Sequence, residues 1–290
     1  MNIICNIKQQ ITSSDKCLLT LSTCWYNLKS KFTSEVYINW IKNLLSIVNN
    51  FNLVIYTDVK SFTQIKNMIY LTNINIKIII KPMEEFYTYK YKDNWIINHK
   101  LSNLRLHSYI DWKLNMLWNE KVLLVNETIK NKYFDSMYYG WCDIGYFRNR
   151  MNDLNIKYLL KWPNNVRLLN STFDIHCIHY GCVQSNVKTI SKLSNEIKMH
   201  YYNKLTNQPS IHFEDVCFAG GFFILHPRLI DEYVRLYIEK LEYYFTNNFI
   251  IKDDQTIIMD IIFTNQNLFH IHTENNPLFD NWFMFQRLIL

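Results

Sequence analysis

Glycine and proline are scarce in this chain, with five residues of each among 290. That scarcity excludes collagen-like and linker-rich designs, and no internal period indicates a repeat protein. No apolar run approaches the roughly 20 residues that a membrane-spanning helix requires. The first residues also lack the apolar segment of a signal peptide. We therefore expect a cytoplasmic protein without a membrane span.

Several catalytic signatures are missing as well. The sequence contains no Gly-x-Ser-x-Gly, no Walker-type glycine loop, no His-Glu-x-x-His and no dinucleotide-binding glycine fingerprint. The sequence therefore lacks the main evidence for a serine hydrolase, a P-loop enzyme or a zinc protease. The formal net charge is +6, but the basic residues are scattered and form no block. Because phosphate-backbone binding usually concentrates charge on one face, we expect no nucleic-acid partner.

Hydrophobic residues, by contrast, are abundant. They make up 49% of the chain, and aromatic residues make up 16%. A chain of this length and composition can bury a sizeable core, which excludes global disorder. The seven cysteines are odd in number and irregularly spaced, so we expect reduced thiols that mostly fill the core.

The first third of the chain alternates between strand and helix patterns. We predict strands at Cys17–Trp25, Leu53–Thr57 and Ile76–Ile80, and a helix from Glu35 to about Asn49 that Ser34 caps. This order predicts an α/β fold with a parallel sheet and helices packed on it. Residues 1–16 are polar, so we expect them to be peripheral, and no linker divides the rest, so we expect one domain at 17–290.

The remainder of the chain is less regular. Lys121 to Ile129 fits either a helix or a strand. Further elements are predicted as strands at Val166–Leu169, Phe173–Tyr180 and Cys217–Leu225, and as helices at Val187–Tyr202, 227–245 and 252–263.

The most informative stretch runs from Tyr138 to Arg148. It reads as a buried strand that ends at a turn, with Asp143 near its carboxyl end, where open α/β sheets bind ligands. A buried carboxylate there needs a cation, a metal or N–H donors. Gly145 indicates a sharp turn or a closely approaching ligand. Alternatively, Asp143 caps the next turn or pairs with Arg148.

Three other groups of residues are candidates. Gly220 and Gly221 interrupt an apolar stretch, either to let a ligand approach the backbone or to form a bulge. Asp254 follows another carboxylate at a predicted helix start, where one carboxylate is enough for a cap and the other is free for acid–base chemistry. His270 and His272 lie on one side of a predicted strand and could both reach a metal, although such pairs are usually ordinary.

In this context, residues Tyr139 to Arg148 resemble the Trp-x-Asp-x-Gly-x-x-Arg signature of the HtrL/YibB-like family. That family occurs in bacteria and large DNA viruses, so the resemblance also allows a cytoplasmic setting in an infected cell. The resemblance spans roughly Cys17 to Leu290. The other matching positions are Thr23, the Leu53-to-Asp58 strand, Lys121, Gly220, Gly221, Asp254 and Gln255.

The resemblance implies a single-domain, GT-A-like (Rossmann-like) fold with a mixed, mostly parallel sheet. It implies an enzyme, a glycosyltransferase that moves a sugar from a nucleotide-sugar donor to a glycan, lipid or protein acceptor. Asp143 and Asp254 would be catalytic, and Asp254 and Gln255 would bind the acceptor. The donor would be bound by Thr23, Trp25, Tyr26, Asp58, Lys121, Arg148, Gly220 and Gly221.

The resemblance also implies a Mn²⁺ or Mg²⁺ cofactor. Asp143 would bind the metal with His270 or His272, although Gly145 stands where such enzymes have a second Asp. Arg148 or Lys121 could instead neutralise the diphosphate. Two alternatives stay open: an inactive relative that binds a nucleotide sugar or glycan, and a nucleic-acid-binding protein that uses aromatic platforms.

Overall fold

A computed structural model describes most of the chain. The described residues are 17–69, 73–102, 104–170, 172–209, 216–274 and 276–290. The segment expected to be peripheral, residues 1–16, lies outside them.

The centre of the fold is a mixed, mostly parallel sheet, as the family resemblance implies. The described strands are β1 (Leu19–Trp25), β2 (Asn52–Thr57), β3 (Ile76–Ile80), β4 (Tyr138–Cys142), β5 (Ile178–Cys182), β6 (Phe218–Leu225) and β7 (Phe269–His272). Their spatial order is β3-β2-β1-β4-β6-β5-β7. Strand β6 runs antiparallel to β4 and β5, and the other neighbouring pairs are parallel.

Helices flank this sheet. The described α-helices are α1 (Ser34–Ser46), α2 (Val59–Ile65), α3 (Lys92–Leu101), α4 (Arg105–Tyr109), α5 (Trp112–Asn119), α6 (Lys121–Lys130), α7 (Asn165–Leu168), α8 (Val187–Tyr202), α9 (Ile230–Thr246), α10 (Asp254–Thr264) and α11 (Phe285–Leu288). Across the described ranges, every helix is too short or too polar to cross a lipid bilayer.

Both faces of the sheet are buried at its centre, whereas the edge strand β3 is only partly buried. On β2, Leu53 and Ile55 pack into one apolar core, whereas Val54 and Tyr56 pack into the other. This division follows from the strand geometry, because successive side chains point to opposite faces. A sheet covered on both faces reads as a continuous apolar run in the sequence, which is why β2 was predictable.

A buried hydroxyl cluster fixes helix α6 against the sheet. Ser22 Oγ on β1 lies 2.7 Å from Thr128 Oγ1 on α6, and Tyr56 OH lies 2.9 Å from the same oxygen. Tyr56 OH also donates to the Leu124 carbonyl at 3.1 Å. Buried hydroxyls that are hydrogen-bonded in this way specify one orientation of the helix. The orientation determines where Lys121, the first residue of α6, projects.

Two strand predictions in the middle of the chain are wrong. Val166–Leu169 falls in the short helix α7, because the Asn164 side chain accepts hydrogen bonds from the Val166 and Arg167 N–H groups. The strand expected from Phe173 starts only at Ile178, because Asp174 forms a turn by accepting from the His176 N–H at 2.8 Å. In both places a polar side chain bonds the backbone locally and competes with strand pairing.

Other local predictions need smaller corrections. Ser34 does not cap α1: it is the first helical residue, and its hydroxyl donates to Asn27 Oδ1 at 2.9 Å. The ambiguous segment after Lys121 is helical. No disulfide joins any two of the six cysteines in the described part of the chain.

Candidate functional site

Asp143 lies at the point where the sheet changes direction. The chain builds β1, β2 and β3 toward one edge and then returns to place β4 on the other side of β1. In open α/β sheets, the crevice at the carboxyl ends of such strands is the usual ligand site. Asp143 directly follows β4, and its N–H donates to the Gly221 carbonyl at 2.8 Å. Its carboxylate is held at this crevice by Trp141, whose Nε1–H donates to Oδ1 at 2.7 Å.

Lys121 joins Asp143 to a second carboxylate. Its Nζ lies 3.0 Å from Asp143 Oδ1 and 2.8 Å from Asp254 Oδ2, and it donates to the Gly220 carbonyl at 2.9 Å. The two carboxylate contacts are ion pairs and the Gly220 contact is a hydrogen bond, so three oxygens surround the ammonium group. Burial favours a neutral amine, but Asp143 and Asp254 outweigh it and raise the pKa of Lys121 above its ordinary value. Lys121 is therefore a buried, charged centre of the site.

Asp254 is the more buried of the two carboxylates. It is the first residue of α10, and its side chain is 7% exposed, compared with 42% for Asp143. Burial raises the pKa of Asp254 to about 7, although the positive charge of Lys121 opposes the change. A carboxyl group with such a pKa can accept or release a proton near neutral pH.

The two glycines of β6 make room for these carboxylates. A Cβ at Gly220 would stand 2.6 Å from Asp254 Oδ2, and a Cβ at Gly221 would stand 3.2 Å from Asp143 Oδ2. The first distance is shorter than a non-bonded contact permits. The glycine pair is thus part of the site because the carboxylates lie directly against its backbone.

Glycine is required at position 145 for a different reason. A Cβ at this position would stand 2.7 Å from Cε3 of the Trp40 indole ring. The same ring lies 4.5 Å below the guanidinium of Arg148, whose Nε–H donates to the Gly145 carbonyl at 3.0 Å. Burial and the nearby Arg150 lower the pKa of Arg148. Trp40 therefore occupies the space that a second aspartate would need, and it supports the arginine instead.

A cavity of about 420 Å³ brings these groups together. Its lining combines carboxylates, cations, glycines and aromatic rings, and it includes Lys31, Trp118, Lys121, Asp143, Arg148, Arg150, Gly220, Gly221, Asp253, Asp254, Gln255, Asp280 and Trp282. A smaller cavity of about 100 Å³ shares Lys121, Asp143 and Arg148 with it, and Trp25 and Tyr26 line this second space. Mixed polar and aromatic lining is typical of sites for small polar ligands.

The remaining residues predicted for donor binding lie apart from the larger cavity. Trp25 and Tyr26 line only the smaller one, where their polar atoms already donate to Gln64 Oε1 and to the Lys81 carbonyl. Thr23 is fully buried in β1 and lines neither cavity. Asp58 also lines neither, because its carboxylate caps α2 by accepting from the Ser61 N–H at 2.6 Å.

Gln255 lines the larger cavity, but its amide is engaged. Its Nε2–H donates to the Phe218 carbonyl at 3.0 Å, which ties the start of α10 to β6. The sequence offered the adjacent Asp253 only as one of two candidate caps of this helix. It occupies the N-cap position of α10 without a capping hydrogen bond, and its buried Oδ1 has no hydrogen-bond partner. The sequence feature that could have identified Asp253 is the pair of adjacent carboxylates, because a helix cap needs only one of them.

The two C-terminal histidines lie outside both cavities. His272 is buried next to His179, and the His179 Nδ1 to His272 Nε2 distance is 3.1 Å. His179 Nε2 lies 2.9 Å from the Asp174 carbonyl, so it must donate there and accept from His272 through Nδ1. His270 is exposed. The structure does not bring either histidine together with Asp143.

This histidine pair makes the fold sensitive to acid. Burial, with help from His270, lowers the pKa of His179 to about 4, and burial together with His179 lowers the pKa of His272 to about 3. The unfolded chain binds these protons near pH 6.5, so it holds more protons than the folded chain below that pH. We expect the free energy of unfolding to fall as the pH drops from about 6.5 toward 4, by up to about 1.4 kcal/mol per pH unit for each histidine.

Urea unfolding from pH 8 to pH 4 measures this loss. His272→Phe is expected to flatten the acid side of the stability curve, whereas His176→Gln, at an exposed turn, should leave it unchanged. Equal acid sensitivity in the wild type and in His272→Phe would contradict the assignment.

Gly145→Asp tests whether a metal-binding aspartate can be restored. We expect a lower melting temperature, because the new side chain collides with Trp40, and overpacking typically costs roughly 1–3 kcal/mol. We also expect no stabilisation by Mn²⁺. Asn149→Asp is the matched control, since it adds the same charge at an exposed position four residues later. A stable Gly145→Asp variant that gains a Mn²⁺-dependent thermal shift would refute this reading.

The chain has a weak structural similarity to a known protein and no sequence match. Neither a protein-family model nor a curated protein sequence matches the chain. Among solved structures, the chain is similar to the apo form of mouse xyloside xylosyltransferase 1, with a TM-score of 0.47 and 14% identity. The likeness covers 88% of this chain and 84% of the mouse chain. Membership of the HtrL/YibB-like family stays a hypothesis.

Proposed function

We propose that this protein is a glycosyltransferase that moves a sugar from a nucleotide-sugar donor to an acceptor hydroxyl. The observation that carries the proposal is the Lys121 ammonium held between Asp143 and Asp254, on the lining of a cavity at the direction change of the sheet. This position is the general ligand site of open α/β sheets. The resemblance of the Asp143 stretch to a glycosyltransferase-like signature supports the same reading.

Arg148 is suited to the diphosphate of such a donor. Its guanidinium is stacked near Trp40 and Phe283, at 4.5 and 5.1 Å from the ring centroids, and it forms no ion pair within the described ranges. Arg150, in contrast, is bound to Asp153 and Asp280. A planar guanidinium with free donors binds phosphate oxygens in a bidentate manner. Arg148 would stabilise the charge that develops on the leaving diphosphate.

Asp254 is suited to the acceptor. In the transfer, the acceptor oxygen forms a bond to the anomeric carbon while the bond from that carbon to the diphosphate oxygen breaks. The electron pair of the broken bond leaves with the diphosphate, and the hydroxyl proton passes to the Asp254 carboxylate. Its raised pKa of about 7 matches this role, because a general base works best with a pKa near the operating pH. Oδ1 of Asp253, which has no hydrogen-bond partner, can accept a hydrogen bond from a second hydroxyl of the acceptor substrate.

The expected Mn²⁺ or Mg²⁺ would have to be held by Asp143. The residues present do not fit such an ion. Oδ1 of Asp143 is already bound by Trp141 and Lys121, and the position of a second aspartate is closed by Trp40. Among the residues that the structure describes, no group of three His, Cys, Asp or Glu side chains is arranged to hold a metal. We therefore derive no step through a metal ion.

A pH profile tests the role of Asp254. The carboxylate must be deprotonated to accept the hydroxyl proton, so we expect kcat to rise with pH through about 7 and then to level off. The measurement is kcat from pH 5.5 to 8.5 at saturating donor. A profile that is flat, or that falls over this range, would argue against Asp254 as the base.

The activity itself is tested by incubating the protein with a panel of nucleotide sugars and detecting nucleoside diphosphate release by mass spectrometry. We expect turnover of at least one donor, including slow hydrolysis when water replaces the acceptor. Heat-denatured protein is the control for contaminating activity in the preparation. Binding of a donor without any turnover would favour the inactive-relative reading, and failure of both would refute the proposal.

A further inference from the structure

The ammonium of Lys121 occupies the place between the two carboxylates where a bridging cation would sit. We infer that Lys121 is the resident cation of this site and that the site binds a nucleoside diphosphate without a divalent metal. The second half of this inference rests on the proposed function. The first half concerns the protein alone and can be tested without any nucleotide.

The contacts of Lys121 leave no room for a second cation between Asp143 Oδ1 and Asp254 Oδ2. An ion that coordinates both Asp143 Oδ1 and Asp254 Oδ2 would have to stand where Nζ stands, 3.0 and 2.8 Å from these oxygens. Mg²⁺ binds oxygen at about 2.0–2.1 Å, so such an ion and the ammonium cannot share the place. A metal would have to displace a buried ammonium from three acceptors, and leaving that charge unpaired costs several kcal/mol.

The surrounding residues stabilise this arrangement. Gly220 supplies the third acceptor through its carbonyl, and its missing side chain lets Asp254 approach. Trp141 holds the same oxygen of Asp143 that Lys121 contacts, and its ring lies 5.9 Å from the ammonium. The cluster is thus a built ion-pair network with one cation and two carboxylates, in which the cation is part of the chain.

Lys121 and Arg148 therefore have different roles in the site. Lys121 forms ion pairs with both carboxylates and donates a hydrogen bond to the Gly220 carbonyl, so its charge is held by the protein and orients the carboxylates. Arg148 forms no ion pair in the described part of the chain and faces the same cavity. The diphosphate charge is met by Arg148, and the charge of the carboxylates is met by Lys121. Neither task requires a divalent metal.

The decisive experiment is a Mn²⁺ titration of the free protein, followed through the electron paramagnetic resonance signal of unbound Mn²⁺. Wild-type protein should leave this signal unchanged. Lys121→Met removes the ammonium from between two carboxylates and should bind one equivalent of Mn²⁺. Lys121→Arg keeps a cation there and should bind none, and adding Asp143→Asn to Lys121→Met should abolish the binding.

Two outcomes would overturn the inference: one equivalent of Mn²⁺ bound by the wild type and lost in Asp143→Asn, or no Mn²⁺ bound by a folded Lys121→Met variant. Should Lys121→Met fail to fold, the titration of the wild type and of Asp143→Asn still decides. A separate arm compares the thermal shift that nucleoside diphosphates cause with EDTA and with Mn²⁺. A shift that disappears in EDTA overturns metal-free binding while leaving the proposed function intact. A shift missing under both conditions overturns the proposed function. The Mn²⁺ titration still tests whether Lys121 is the resident cation of the site.

Discussion

Asp254→Asn is expected to lower kcat for sugar transfer by about 10² to 10⁴, the range for loss of a general base. The amide has the same shape as the carboxylate but cannot accept the hydroxyl proton. Lys121 keeps its contacts with Asp143 and the Gly220 carbonyl, so donor affinity should stay within a few-fold of the wild type. The measurement is a comparison of kcat with the dissociation constant of the donor.

The stability of this variant provides a second readout. Burial raises the pKa of Asp254 above its value in an unfolded chain, so ionising this carboxyl group above pH 7 opposes folding. We expect Asp254→Asn to melt at or above the wild-type temperature at pH 8. A variant that retains wild-type kcat would remove Asp254 from the mechanism, and loss of kcat through unfolding would appear as a lower melting temperature.

Asp260→Asn is expected to have the opposite pattern, with lower stability and normal catalysis. Asp260 is a fully buried carboxylate on the same helix, and its Oδ1 lies 2.8 Å from Lys240 Nζ. Its Oδ2 accepts from the hydroxyls of Tyr201 and Tyr244 at 2.6 and 2.9 Å. These contacts join α8, α9 and α10 through one side chain.

The size of the effect follows from the charge that is left behind. Neutralising Asp260 leaves the Lys240 ammonium, whose side chain is 15% exposed, without its ion-pair partner. Breaking a buried ion pair by removing one partner costs about 3–5 kcal/mol. Urea unfolding should show this loss, whereas kcat of the folded fraction should match the wild type. If the free energy of unfolding of Asp260→Asn were within about 1 kcal/mol of the wild-type value, the ion pair with Lys240 would not contribute the stability expected of it.

Much of the fold was predictable, since a strand buried on both faces leaves a continuous apolar run and an amphipathic helix leaves a periodic one. Strand β2 and helix α8 follow these patterns. Prediction failed where a side chain bonds the local backbone, as Asn164 does in α7. It also failed to decide Lys121 to Ile129, because a short apolar run fits both types of structure.

The candidate site was predictable to the extent that strand ends converge. Asp143, Gly220, Gly221 and Asp254 line one cavity because β4, β6 and the start of α10 meet at one edge of the sheet. The sequence could not show which polar side chains at strand ends would be engaged in local structure and so be absent from the site. Asp58 follows a strand too, but it caps a helix. Nor could spacing show that Trp40, from a distant helix, fills the space beside Gly145.

The most direct test of the central claim is a thermal-shift screen of nucleoside diphosphates and nucleotide sugars, each with EDTA and with Mn²⁺. A ligand that binds only the folded state stabilises it according to how far its concentration exceeds the dissociation constant. We expect at least one nucleotide to raise the melting temperature equally under both conditions, and Arg148→Gln to remove that shift. If no nucleotide raises the melting temperature of the wild type, the assignment of this cavity as a nucleotide-sugar site is contradicted.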